Sequence, residues 1–292
     1  MSLSPASSET AGLVLAAASV MAAIAYAAAA VTAVTAASTA PSAAASTADP
    51  QRPRRLGALL LAWALHLLAL VVDIAGIGAA SGGARFGFAP ALSMTVWLVL
   101  AVYMVESRFV PLPSARRVLA GLALLAVLMA LAYPGESRPT ASPWAPLHWV
   151  LGLASYGLFG VAVLHAALLN RAERQMRLKP SSGGGGALPM TGMPLLRLER
   201  LTFQFVAAGV VMLSLAIGLG WWFTPAWHWD HKNLLAVLGW LVLTGLLTGR
   251  RVFGWRGRRA TRWLYFGAVL LLLSYAGSRF VWEVVLQRPL PT

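Results

Sequence analysis

The sequence predicts an all-α, polytopic integral membrane protein, a bundle of about eight transmembrane helices. Three observations predict it. Of 292 residues, 59% are hydrophobic and only 11% are charged, against roughly 25% charged in soluble domains. The mean hydropathy is +0.71. Apolar runs near the roughly 20 residues that cross a bilayer recur along the whole chain. This composition excludes a water-soluble globular domain, and it excludes disorder, which needs few apolar residues. Cysteine is absent, so the chain makes no disulfide, no thiolate metal site and no covalent Cys-x-x-Cys-His haem attachment.

The elements follow in order. The first run, 12–34, is Ala-rich and has no basic residue before it, which makes a poor signal peptide; it is read as a span. The second, 56–77, follows Arg52, Arg54 and Arg55 and carries His66 and Asp73. The third and fourth are 88–105 and 116–133. The fifth, 146–170, opens on His148 and holds His165. The sixth, 201–223, ends in Trp221-Trp222-Phe223, and the seventh, 233–249, contains Trp240. The eighth, 261–284, carries Arg279 and Glu283 at i, i+4. The whole chain, 1–292, reads as one transmembrane domain. It is interrupted by an Ala/Ser/Pro-rich loop at 35–55, a Gly-rich flexible linker at 178–196 and a Trp-rich loop at 224–232.

The formal charge is +14. On a soluble chain that would suggest nucleic acid; here the basic residues alternate between loops instead. Eighteen of the 23 Lys and Arg fall in the first, third, fifth and seventh loops. Basic residues collect in cytoplasmic loops, so these loops read as cytoplasmic and both termini as outside. No nucleic-acid partner is expected. Gly183 to Gly186 lack the spacing and the Lys-Ser/Thr of a phosphate loop.

Ionisable side chains inside a span are costly and point to function. His66 lies eleven residues beyond Arg55, or roughly 16 Å at the helical rise, near mid-membrane. Asp73, seven residues on, shares about the same face. His148 stands at the outer end of its helix, His165 in the inner half, and His228 and His231 flank Trp229-Asp230. Seven of the twelve tryptophans gather at the outer face: Trp144, Trp149, Trp221, Trp222, Trp227, Trp229 and Trp282. An aromatic belt loads both interfaces; this asymmetry suggests a flat apolar platform for a planar ligand.

Trp227-His-Trp-Asp-His-Lys232, followed by an apolar helix with Trp240, resembles the tryptophan-rich "WWD" region of the cytochrome c assembly family. That family includes haem-handling membrane proteins of the CcsA and CcmC types. Leu198-Glu199-Arg200 leading to Gly218 and Trp221 is similar to the preceding helix. His148 with Gly152, Ser155 and Tyr156 is similar to the helix bearing an external histidine. Gly254-Trp255-Arg256-Gly257-Arg258-Arg259 resembles the following inner loop. Tyr275 to Phe280 resembles the bacterial YpjD-like branch. The likeness covers about residues 56–286.

The resemblance implies a haem-binding or haem-handling protein of the bacterial inner (cytoplasmic) membrane that assists cytochrome c assembly. It would not itself be an enzyme. Its partners would be haem, the lipid bilayer, and an apocytochrome c or another assembly membrane protein. The implied cofactor-binding residues are His66, His148, Trp227, Trp229, Asp230, His231 and Arg279, with His148 and His66 toward haem iron. Haem's ring takes contact from tryptophan, its iron a histidine, and its propionates an arginine. The chain departs from the family pattern where a second external histidine is expected, since Gly277-Ser278-Arg279 stands there. That departure supports an alternative: a haem-free structural or regulatory membrane protein of the same fold, partnering a transporter or assembly complex. A solute transporter is a third reading, with Asp73 its main deep carboxylate and no internal repeat behind it.

Overall fold

The computed structural model describes residues 5–38, 52–74, 84–107, 113–134, 136–138, 142–178, 195–224 and 229–281. The helices are α1 (Pro5–Ser38), α2 (Arg52–Ile74), α3 (Phe88–Ser107), α4 (Pro113–Ala132), α5 (Ala145–Leu178), α6 (Leu195–Phe223), α7 (His231–Phe253) and α8 (Gly257–Leu272). Beyond α8 the chain stays helical through a π-helical segment, Leu273–Gly277, and a last turn, α9 (Ser278–Phe280). Among the described residues seven helices, α1 to α7, are long and apolar enough to cross a membrane. The protein is an all-α multi-pass membrane bundle.

Each predicted run is found as a helix, and most helices outrun the prediction. An apolar run marks only the part of a helix that lipid selects. Helix α5 continues to Leu178, through Arg171, Arg174 and Arg177, because backbone hydrogen bonds continue wherever water can solvate the side chains. The eighth run differs in kind: α8 has 16 residues, and the widened π turn separates it from α9. One feature was not expected. Two three-residue strands, β1 (Ala84–Phe86) and β2 (Glu136–Arg138), pair antiparallel with Arg85 opposite Ser137, linking the α2–α3 and α4–α5 connections. Of the Ala/Ser/Pro-rich loop, 35–38 and 52–55 are helical, as the end of α1 and the start of α2, and 39–51 lie outside the described residues, as do 179–194 of the Gly-rich linker.

Where the sequence reads as one domain, the helices group into two compact units. The first holds α1, α2, α4, the ribbon and α3 as far as Ala101. Here α1 packs on α2 and α4. Its seam is Ala18, Ala22, Tyr26 and Ala29, all buried. Small residues let helix backbones approach, which is how helices associate where lipid is as apolar as leucine. The Ala-rich composition of α1 is thus a packing surface. Across α2 and α3, Trp63 and Trp97 stack with ring centroids 4.5 Å apart. Each indole N–H donates to the other residue's carbonyl, at 3.2 and 3.1 Å.

The second unit holds α5 to α9 and α3 from Val102 onward. Helix α5 packs along α6, and α7 along α8. Phe159, Phe203, Val206, Leu243, Leu246 and Leu264 are among the buried core residues. The α7–α8 seam is reciprocal: Leu271 rests on Gly239 and Leu243 on Gly267, where a Cβ would come within 2.8 and 2.7 Å of them. Large apolar side chains left exposed, such as Val211, Leu241 and Val269, are what a lipid-facing surface requires.

Candidate functional site

The candidate site is the end of the second unit where α5 begins, α6 closes and α7 begins. His148 sits in the first turn of α5, and its Nδ1 lies 2.8 Å from the Ala216 carbonyl. A carbonyl only accepts, so Nδ1 carries the proton and donates. Nε2 is then the nitrogen with the lone pair, and it makes no hydrogen bond among the described residues. The ring meets Phe223 edge-on at 5.7 Å. It lies against Gly220, where a Cβ would stand 3.0 Å from Cε1. Helix α6 therefore supplies both the acceptor that orients the imidazole and the gap that admits it.

Tryptophans crowd the same end of this unit. Trp144, Trp221, Trp222 and Trp229 are all more than half exposed. Trp227 and His228 lie outside the described residues. Asp230 is the N-cap of α7: its carboxylate accepts from the Asn233 N–H at 2.7 Å. The bond satisfies one of the orphan amides of the helix start and fixes the exit of the loop. His231 is the first residue of α7 and is exposed. Arg279 lies in α9; its side chain is outside the described residues.

The π segment joins this end. A π turn leaves backbone groups of the α-ladder without their usual partner. Here the Tyr156 hydroxyl donates to the Leu271 carbonyl at 2.7 Å. The Ser274 hydroxyl donates to the Lys232 carbonyl at 2.8 Å, and the Lys232 ammonium lies 6.0 Å from the Tyr275 ring centroid. The widened helix is thereby tied to α5 and to the start of α7.

His66 belongs to the first unit and is fully enclosed, at 1% exposure. Its Nε2 lies 2.7 Å from the Ser93 hydroxyl and its Nδ1 3.3 Å from the Tyr26 hydroxyl. Asp73 is buried on the same face of α2, and both line a cavity of about 120 Å³ with Ser19 and Ser93. That is well below the roughly 300 Å³ where ligand pockets begin. Both ring nitrogens are engaged, so the residues around His66 do not fit haem. His165, buried in the second unit, holds Glu106 at 2.8 Å through Nε2, while Nδ1 has no hydrogen-bond partner among the described residues. Those residues contain no cluster of three or more His, Asp or Glu that would hold a metal ion.

The chemistry at His148 is compatible with haem: Nδ1 is oriented by the Ala216 carbonyl, Phe223 meets the ring edge-on, and exposed tryptophans lie at the same helix ends. Ala216, Gly220 and Phe223 went unread in the sequence as site residues. Gly220 just before Trp221 was the signal: a glycine near a helix end leaves a gap that admits something bulky.

Comparison with known proteins places the chain among relatives. The family model described as cytochrome C assembly protein matches residues 55–286. The chain is 32% identical to the inner membrane protein YpjD of Escherichia coli over 168 residues, 56% of this chain and 62% of the relative. It thus spans less than two thirds of that relative's length. It is 22% identical over 222 residues to the cytochrome c biogenesis protein CcsA of Prochlorococcus marinus, covering 65% of this chain and 70% of the relative. It is 28% identical over 237 residues to a 28.8 kDa protein of Azospirillum brasilense, covering 75% and 85% respectively. No solved structure matches the chain.

Proposed function

Since the chain belongs to the cytochrome c assembly protein family, we propose that it is a haem-handling protein of the bacterial inner membrane that assists cytochrome c biogenesis. The observation that carries this is the His148 imidazole. Its Nδ1–H donates to the Ala216 carbonyl, the arrangement that orients a ligating histidine and makes the other nitrogen more basic. In this reading His148 offers Nε2 to haem iron. Trp229, with Trp221, Trp222 and Trp227, gives the porphyrin a flat apolar surface, and Arg279 pairs with a propionate. Asp230 acts through the backbone, by holding Trp229 and His231 at the start of α7. His231 is the second imidazole at this end.

Haem bound here is carried or presented, and the chain forms no bond to it beyond ligation. The thioether-forming thiols belong to the apocytochrome, since this chain has no cysteine. The charge alternation of the loops supports an orientation with both termini outside, in which the tryptophan-rich end faces the side where the partner cytochrome is completed. The departure at Gly277-Ser278-Arg279 and the full engagement of His66 support a second reading, a haem-free structural or regulatory protein of the same fold.

The deciding experiment is the absorption spectrum of the detergent-purified chain from haem-replete cells, beside His148→Ala and His66→Ala. The expected result is a Soret band that is lost or shifted in His148→Ala and kept in His66→Ala. An unchanged band in His148→Ala rejects His148 as the ligand. A folded wild-type protein without a Soret band selects the haem-free reading.

A further inference from the structure

We propose that the junction of α7 and α8, residues 250–266, is a binding surface for the headgroups of anionic phospholipids. Between Arg250 and Arg262 the chain places six arginines and no lysine, aspartate or glutamate. Arg250 is committed elsewhere: it donates to Glu199 at 2.8 Å and lies 3.8 Å over the Phe203 ring. The other five, Arg251, Arg256, Arg258, Arg259 and Arg262, are exposed. Arginine supplies 21 of the 23 basic residues of the chain, so the residue type follows the overall composition; what singles out this stretch is the density of exposed guanidinium groups, each able to donate two parallel hydrogen bonds to a phosphate.

An aromatic shelf lies beside the arginines. Phe253, Trp255, Trp263 and Phe266 follow one another at centroid distances of 6.2, 6.4 and 6.1 Å. Trp255 is seated on α7 at Gly249, where a Cβ would come 2.6 Å from its ring. The turn that returns it there needs Gly254 at φ +64°. Arg259 lies 4.4 Å over the Trp255 ring. Val252 and Phe253 are 67% and 71% exposed, at the last turn of a helix that crosses the membrane. Exposed apolar and aromatic side chains with guanidinium groups beside them match the two layers of a phospholipid, tail and phosphate. Glu173, beside Gly257, is the carboxylate that closes the patch toward α5. This surface is independent of the His148 site.

The test uses the full chain in phosphatidylcholine bilayers, with spin-labelled phosphatidylglycerol or phosphatidylcholine reporting which lipid is held at the protein. The wild type is expected to prefer phosphatidylglycerol about fivefold, with each nearby basic residue adding to the attraction. Arg256→Gln/Arg258→Gln/Arg262→Gln is expected to bring the ratio close to one. Arg171→Gln/Arg197→Gln/Arg200→Gln, which removes as many exposed arginines at the ends of α5 and α6, is expected to keep it. If the first triple variant fails to insert, Arg256→Gln and Arg262→Gln singly are each expected to lower the ratio. An unchanged ratio in these variants, or an equal loss in the control triple, overturns the proposal. So does inorganic phosphate that erases the preference, since the surface would then bind soluble phosphate.

Discussion

The His148 ring rests on Gly220, so closely that a Cβ at residue 220 would stand 3.0 Å from its Cε1. An alanine there must push the imidazole back and lengthen the bond from Nδ1 to the Ala216 carbonyl.

Gly220→Ala is therefore expected to fold. Overpacking costs about 1–3 kcal/mol, which a stable helix bundle tolerates. The Soret absorbance is expected to fall or shift. At Gly218 nothing lies within 4 Å of an added Cβ, so Gly218→Ala should leave the spectrum alone. Identical spectra for the two variants would remove Gly220 from the site.

Asp230 separates a structural carboxylate from a ligand-binding one. Asp230→Ala deletes the cap bond to Asn233 and should cost about 0.5–2 kcal/mol in detergent unfolding. Asp230→Asn keeps an acceptor oxygen and should restore both stability and spectrum. If Asp230→Asn is stable but spectrally altered, the charge itself contacts the ligand.

Tyr156→Phe removes the hydrogen bond to the Leu271 carbonyl, just before the π segment. Losing one such bond costs about 0.5–1.5 kcal/mol, so the thermal midpoint should drop by a few degrees. The π segment should also exchange its amide hydrogens faster. Wild-type exchange rates in the variant would show that the hydroxyl does not hold the widened turn.

His66 and Ser93 share a 2.7 Å hydrogen bond inside the first unit. His66→Ala and Ser93→Ala should each destabilise, and the double variant should cost less than their sum, with a coupling of about 0.5–3 kcal/mol. Strict additivity would mean that the two side chains do not depend on each other.

The spans, their order and the tryptophan-rich end were legible because lipid imposes length and polarity on a helix, and both are written residue by residue. Asp230 was legible as a site residue, while its cap bond to Asn233 was not, because a cap and a ligand both call for a carboxylate at a helix start. His66 looked like a ligand because depth can be counted from Arg55. Its partners, Ser93 and Tyr26, lie on other helices, and no local pattern names them. The Ala216 carbonyl is a backbone group with no residue-type signature. The π turn was hidden for the same reason, since the widening at Leu273–Gly277 is a change of backbone hydrogen bonding that no residue type there announces.

Trp63 and Trp97 exchange indole hydrogen bonds across α2 and α3 while their rings lie nearly parallel, at 12°. Sliding α2 along α3 by a single residue would break both bonds at once, so the pair locks the register of the two helices.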